Sequence, residues 1–238
     1  EGRSSVIGGT TIRMNQHNIP LSQAQNQSAR LQALWQLATN RAKSDEEKTK
    51  LMLKLARDAL EADSVLIGEA EGGRFVIRYQ EDDLDLFETD GVCPLEALCS
   101  AATQSKQSIF YYHMQESEPF RHMPLVRASG IQVYAGIPIW VGDDLYGTLV
   151  FLRRQQLAGL EFSNDDKVFM DLLANWFGLM LLRSRQTQAL QTQALTDALT
   201  GLPNRRAAEL RFIEEIARAR RDDCGFSVAV ADLDRFKL

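Results

Sequence analysis

Two adjacent runs of strand-forming residues constrain the fold of this chain most strongly. Residues 132–141 (QVYAGIPIWV) and 145–154 (LYGTLVFLRR) are rich in branched and aromatic side chains, and a Gly-Asp-Asp turn separates them. Glycine and aspartate tolerate the backbone angles of tight turns. The two runs therefore predict an antiparallel β-hairpin.

More strands are predicted earlier in the chain. The runs 64–70 (SVLIGEA) and 74–80 (RFVIRYQ) flank a Gly-Gly pair and predict a second hairpin. SIFYYH, at 108–113, predicts a further strand. Pro94 is expected to open a short helix, because proline suits the first turn, and residues 113–130 to form a long loop or short helix.

The N-terminal part of the chain predicts two helices. In residues 21–42 the apolar side chains recur at intervals of three and four, which marks one face of an amphipathic helix: Leu31, Leu34, Trp35 and Ala38. An apolar stripe this narrow is suited to packing against one partner helix. Ser44 followed by Glu47 resembles a capping box and predicts a second helix over 45–61.

A much longer helix is predicted after the main hairpin. Ser163 is a suitable N-cap, and helix-forming residues continue to about Leu195. The apolar seam expected for this helix consists of Phe169, Leu173, Trp176 and Met180, continued weakly by Leu190 and Ala194. The fold class is therefore α/β of the α+β type: a central antiparallel sheet flanked by helices, with a long C-terminal linker helix.

Composition narrows the functional classes. The chain is 45% hydrophobic and 25% charged, which is typical of a globular protein. Its three cysteines form no CxxC pair, and no apolar run approaches the roughly 20 residues of a membrane-spanning helix. Residues 61–99 contain 11 acidic residues against two arginines. We expect a cytoplasmic location, no membrane segment and no nucleic-acid partner.

The pattern over residues 40–182 resembles the GAF family of sensory domains. The residues that carry the resemblance are the segments YAGIPIWVGDDLYGTLVF and FSNDDKVFMDLLANWFG, preceded by two helices and a six-stranded type of β pattern. The resemblance implies a GAF-type sheet and a ligand-binding or dimerising role. No motif typical of cyclic-nucleotide-binding members is present, so the ligand has no predicted identity.

A second resemblance begins at Asp197. The segment 197–206 (DALTGLPNRR) is similar to the opening of GGDEF, or diguanylate cyclase, domains, and 228–237 (VAVADLDRFK) to their first core strand and turn. The resemblance implies that Asp232 and the Leu233 carbonyl hold magnesium and that Phe236 and Lys237 lie against the phosphates of GTP.

The printed chain contains no GG(D/E)EF sequence. We therefore expect it to be catalytically incomplete and to bind no cofactor itself, whereas the complete parent would use magnesium and GTP in cyclic di-GMP signalling. Two active sites must meet in that reaction, which implies a homodimer formed through the N-terminal and C-terminal helices.

The expected organisation is a flexible arm at 1–20, a GAF domain at 21–182, a helical linker at 183–196 and an incomplete GGDEF start at 197–238. The aromatic and methionine side chains expected to line a ligand pocket are Phe110, Tyr112, Phe120, Met123 and Tyr134. Two alternatives stay open: a constitutive dimerising spacer without ligand, and a thiol-based methionine sulfoxide reductase using Cys93 and Cys99.

Overall fold

The computed structural model describes residues 21–93, 95–118, 120–154 and 161–231. The helices are α1 (Leu21–Thr39), α2 (Asp45–Ala59), α3 (Glu96–Ser105), α4 (Pro124–Ser129), α5 (Asn164–Leu195) and α6 (Arg205–Asp222). A 3₁₀ turn covers Phe120–His122. The strands are β1 (Ser64–Glu71), β2 (Arg74–Asp82), β3 (Ile109–Tyr111), β4 (Val133–Val141) and β5 (Asp144–Arg153). Residues 1–20 and Pro94 lie outside the described residues.

The strands form one antiparallel sheet in the order β2-β1-β5-β4-β3. Both predicted hairpins are present. The described part of the chain contains five strands in this sheet, rather than the six that the resemblance implied. At the β2 edge, Val92 forms a single bridge with Val76. Asp85 and Asp90 have positive φ angles, so the preceding acidic segment turns instead of extending.

One face of the sheet is covered by α2 and α5. The capping box predicted for α2 is confirmed, because Ser44 Oγ accepts a hydrogen bond from the Glu47 N–H and the Glu47 carboxylate accepts one from the Ser44 N–H. The apolar side chains packed between these helices and the sheet are Met52, Leu53, Ala56, Ile67, Ile139, Leu149, Leu173 and Phe177.

The other face is covered by α3, α4 and the connecting loops. We call its buried side chains the loop-side core: Leu66, Phe75, Ile77, Phe87, Cys93, Leu95, Leu98, Cys99, Met114, Val126, Ile131, Tyr134, Val150 and Leu152. This face, covered by two short helices and loops, is where the predicted ligand-pocket residues were expected to meet.

Helix α5 lies unusually close to the sheet at Gly178. A Cβ atom on Gly178 would lie 2.0 Å from the carbonyl oxygen of Trp140 in β4. Glycine is therefore required at this point, although it is a weak helix former. The helix starts at the predicted cap, since Ser163 Oγ accepts from the Asp166 N–H, and it ends at Leu195 as predicted.

Two arginines bind the C-terminal carbonyls of α2. Arg30 from α1 donates to the Ala59 carbonyl and forms a 2.7 Å ion pair with Asp166. Arg153 from β5 donates to the Leu60 carbonyl, and its guanidinium lies 4.0 Å from the centre of the Phe162 ring. Cations at this end of a helix satisfy free carbonyls and complement the helix dipole. Arg30 thereby links α1, α2 and α5.

Residues from Met180 onward form a second compact unit. It contains the end of α5 and helix α6, whose first turn is capped by Asn204. The part of 228–237 that the structure describes, 228–231, forms no strand, although the resemblance implied one. Val228 and Val230 are exposed, and a strand requires hydrogen bonds to a neighbouring strand. No helix within the described ranges is long and apolar enough to cross a membrane.

Candidate functional site

Tyr134 is the central side chain of the loop-side core. It lies on β4 and is fully buried. Its ring centre is 6.1 Å from that of Tyr111, which in turn lies 4.5 Å from the ring of Phe120. Burial raises the pKa of Tyr134 well above its usual value, so the hydroxyl stays protonated at neutral pH. Aromatic side chains therefore occupy the middle of this face.

The Tyr134 hydroxyl is directed at Cys99 of α3. It lies 3.8 Å from Cys99 Sγ, within the distance of a weak hydrogen bond to sulfur. Cys93 Sγ also lies 3.8 Å from Cys99 Sγ. The hydrogen bond with Cys93, together with burial, raises the pKa of Cys99 well above its usual value. At neutral pH Cys99 is therefore a thiol rather than a nucleophilic thiolate.

The residues predicted to line one pocket fall into two groups. Phe120 and Met123 pack at the edge of the loop-side core, which contains Tyr134. Phe110 and Tyr112 lie on the opposite face of the sheet, where both rings are within 6.4 Å of the Phe162 ring.

Strand alternation explains this division. In β3, Tyr111 pairs with Tyr134 and Phe110 with Ala135, and paired residues share a face of the sheet. Tyr111 is the side chain beside Tyr134, and sequence reasoning missed it because it fixed no register for this short strand.

Gly136 makes room for Tyr134. The two residues are two apart on β4 and so face the same side of the sheet. A Cβ atom on Gly136 would lie 2.5 Å from the Tyr134 hydroxyl oxygen. The glycine of the GIPI segment is thus needed for the tyrosine ring to lie along its own strand and reach Cys99.

Helix α5 has a second apolar face that the domain does not cover. Phe169 and Leu173, two members of the predicted seam, are buried, and Leu173 packs against the sheet. The exposed large apolar residues of α5 as far as Leu179 are Val168, Leu172 and Leu179, which we call the outer stripe, and Leu190 is exposed farther along the helix. With about 100° per residue, these positions lie within about 40° of one another, and their centre lies roughly 170° from the centre of the buried face.

Helix α1 adds apolar surface next to the outer stripe. Leu31 lines a groove between the two helices together with Val168 and Leu172. Leu31 and Trp35 are both exposed, Trp35 to 66%. Both helices expected to form a dimer interface therefore present uncovered apolar side chains.

The segment 196–204 forms a turn that satisfies its own polar groups. The Asp197 carboxylate accepts hydrogen bonds from the Leu199 N–H and from both the N–H and the hydroxyl of Thr200. Asn204 donates to the Ala194 carbonyl and caps α6 through the Ala207 N–H. Gly201 has a φ of +70°. The predicted tight turn at Thr200 and Gly201 therefore connects α5 to α6 with defined geometry.

We predict that Thr200→Ala raises the pKa of Asp197 toward its usual value. The Thr200 hydroxyl is the main cause of the lowered pKa of Asp197. A lowered pKa stabilises the turn above the unfolded pKa, and this contribution is lost as the pH falls through the folded pKa. NMR titration of the Asp197 carboxyl carbon measures the pKa of Asp197, with Thr192→Ala as the control. An unchanged Asp197 pKa in Thr200→Ala would remove this role of the hydroxyl.

The residues predicted for magnesium and GTP lie outside the described residues: Asp232, Leu233, Phe236 and Lys237. Their roles stay predictions. Within the ranges that the structure does describe, no group of three or more His, Cys, Asp or Glu residues could hold a metal ion.

Comparison with known proteins identifies the larger domain. Residues 46–181, more than half of the chain, match the GAF domain family. The chain belongs to the GAF domain family. The GAF domain of an Acinetobacter phosphoenolpyruvate-protein phosphotransferase has the same fold, with a TM-score of 0.54 at 15% identity over 71% of this chain and 97% of that one. At this identity the likeness concerns the fold alone.

Residues 194–238 match the diguanylate cyclase GGDEF domain, so the GAF match is followed by a short GGDEF match. The diguanylate cyclase DgcP of Escherichia coli is 32% identical over 117 residues, which cover 47% of this chain and 34% of that protein. The diguanylate cyclase DgcP of Pseudomonas aeruginosa is 53% identical over 45 residues, 19% of this chain and 7% of that protein. The chain thus spans about a third or less of these relatives.

Proposed function

We propose that this chain is the regulatory and dimerising part of a cytoplasmic diguanylate cyclase, in which the GAF domain controls cyclic di-GMP synthesis through α5. One observation carries the proposal. A single helix packs on the GAF sheet through residues 169–178 and ends at Leu195, the second residue of the GGDEF match. The similarity to diguanylate cyclases supports the same assignment.

The outer stripe supports a dimer in which two copies of α5 run side by side. Apolar positions spaced by about seven residues are typical of coiled-coil seams. Leu172 and Leu179 have this spacing and are exposed. Two cyclase active sites must meet to join two GTP molecules, as the family resemblance implies, so a parallel pair of helices would place both outputs at the same end.

Beyond Leu179 the sequence offers two continuations of the stripe. Leu182 and Ala189 continue a strict heptad, whereas Arg183 and Leu190 continue it after a shift of one residue. Neither continuation is strongly apolar. Two weak pairings of similar free energy suit a linker that switches between them. A change of about 1.4 kcal/mol in their free-energy difference already changes the ratio of the two states tenfold.

A change of linker length tests transmission through α5. In the protein with a complete GGDEF domain, one residue inserted after Gln191 rotates the following residues by about 100° relative to the GAF domain, whereas seven inserted residues restore the same face. We expect conversion of GTP to cyclic di-GMP to fall at least tenfold in the first variant and to persist in the second. Equal activity in both would exclude control through helix phase.

One observation favours the alternative of a dimerising spacer without ligand. Fully buried Tyr134 and its aromatic neighbours fill the middle of the loop-side core. Native mass spectrometry of the purified chain separates the two forms of the proposal. A dimer with a discrete added mass supports a ligand sensor, and a dimer without one supports a spacer. The reductase alternative is disfavoured by the raised pKa of Cys99.

A further inference from the structure

Two thiols lie in contact inside the loop-side core. Cys93 precedes α3 and Cys99 lies within it, and both are at most 3% exposed. Neither forms a disulfide. Their sulfur atoms are 3.8 Å apart. Of the three cysteines, only Cys224 is exposed.

The backbone at both cysteines is fixed by hydrogen bonds. The Cys93 N–H donates to the Phe75 carbonyl of β2 at 2.7 Å, and the Cys99 N–H donates to the Leu95 carbonyl at 3.1 Å. The two side chains are therefore held facing each other from the sheet edge and from the helix. A disulfide requires the sulfurs to approach to about 2.05 Å, so closure needs a movement of about 1.8 Å, within the range of side-chain and small backbone adjustment.

We propose that Cys93 and Cys99 are an oxidisable dithiol that closes to an intramolecular disulfide when a small hydroperoxide reaches the loop-side core. One thiol, after losing its proton, attacks an oxygen of the peroxide, the O–O bond breaks, and a sulfenic acid and water form. The second thiol attacks that sulfur, the S–O bond breaks, and a second water leaves. The two electrons lost by the sulfur atoms reduce one hydrogen peroxide to two water molecules.

Closure would alter the contacts of the central tyrosine. Cys99 Sγ is the atom next to the Tyr134 hydroxyl, and Thr148 donates to the Cys99 carbonyl. Moving this sulfur toward Cys93 removes it from Tyr134 and pulls on the first turns of α3. The dithiol is thus placed where its oxidation changes the packing of the loop-side core around Tyr134. The chemistry of the pair does not depend on the proposed cyclase function.

Burial makes the reaction slow and selective. The hydrogen bond with Cys93 and burial keep Cys99 in the thiol form at neutral pH, and the thiolate is the reactive form. Small uncharged oxidants should therefore react over hours rather than seconds, and bulky disulfides such as oxidised glutathione should react more slowly than hydrogen peroxide.

The test uses the whole chain with Cys224→Ser, which removes the exposed thiol. After exposure to hydrogen peroxide, the protein is unfolded, alkylated and weighed by mass spectrometry. We expect loss of both alkylatable thiols with a decrease of about 2 Da, the mass of two hydrogens, and recovery of both thiols after dithiothreitol. Peptide mapping should join the peptides of Cys93 and Cys99.

Matched single-thiol variants keep the result interpretable. Cys93→Ser and Cys99→Ser, each with Cys224→Ser, should show no loss of two hydrogens and should instead gain oxygen or stay unmodified. Circular dichroism before oxidation checks that each variant is folded. The proposal is overturned if the dithiol chain keeps both thiols after prolonged exposure, or if both cysteines become sulfinic acids without passing through the disulfide.

Discussion

Replacing Gly178 with alanine is expected to destabilise the GAF domain by about 1–3 kcal/mol, the usual range for overpacking a filled core. The sign makes this result informative. In an ordinary helix interior, alanine is about 1 kcal/mol more favourable than glycine. At Gly178 the added methyl would lie 2.0 Å from the Trp140 carbonyl oxygen, so α5 must move away from β4 to accept it.

Urea unfolding of the chain measures this effect through the midpoint at constant slope. Ser184→Ala is the matched control, because Ser184 is an exposed residue on the same helix, about 140° away from the outer stripe, and such changes usually alter stability by less than about 0.5 kcal/mol. If Gly178→Ala were as stable as the natural chain or more stable, the close approach of α5 to the sheet would be wrong.

The same contact has a consequence for signalling. Residues 169–178 seat α5 on the sheet, and the helix then continues to the turn at Asp197. A helix that retreats from β4 would also change the direction of its exposed half. In the complete protein, Gly178→Ala is therefore expected to alter cyclase output together with stability, while Ser184→Ala alters neither.

The elements that local chemistry dictates could be read from the sequence. Ser44 and Glu47 gave the start of α2, the Gly-Asp-Asp turn gave the β4–β5 hairpin, and the end of α5 at Leu195 followed from the change to turn-forming residues. Each signal lies within a few residues of the feature it specifies. Non-local pairing has no such signal.

The predictions that were wrong concern the face of the sheet on which a side chain lies, which depends on the register of strand pairing. The pairing of Tyr111 with Tyr134 decides that Phe110 and Tyr112 point away from the loop-side core, and a one-residue difference reverses every side chain of a strand. Bulges after Ile67 and Ile139 shift the pattern again. A short run of residues in the sequence does not specify the pairing register or the positions of the bulges. The contact between Cys93 and Cys99 likewise depends on where β2 holds the segment before α3.

Helix α5 shows why the predicted seam includes residues that the domain buries. Its apolar residues form two stripes, and both have the spacing of three and four that marks an amphipathic helix. The sequence pattern favoured the stripe with the larger aromatic residues, Phe169 and Trp176, as the seam. Bulky aromatics contribute most to a core, so Phe169 is buried in the domain, and the smaller set of Val168, Leu172 and Leu179 is left exposed.

Replacing Leu172 and Leu179 together with lysine is expected to raise the dissociation constant of the proposed dimer about a hundredfold or more, equal to about 2.8 kcal/mol. Both leucines are exposed in one copy of the chain, so the change should leave the stability of the domain nearly unaltered. In the dimer each lysine would be placed at an apolar seam without a partner charge, which costs several kcal/mol per buried ion. Analytical ultracentrifugation over a concentration series measures the constant.

Three further variants on α5 test the position of the seam through a gain of affinity as well as a loss. Gln186 lies within about 20° of the outer stripe, whereas Thr187 is about 80° away from it and Gln188 lies on the opposite side. Gln186→Leu should tighten the dimer, and Thr187→Leu should not. Gln188→Lys adds the charge of one of the two lysines of the disruptive variant and should leave the constant unchanged. A seam on the outer stripe is expected to respond to Gln186→Leu and not to Thr187→Leu or Gln188→Lys. Equal tightening by both leucine variants, or dissociation of the dimer by Gln188→Lys, would therefore place the interface elsewhere.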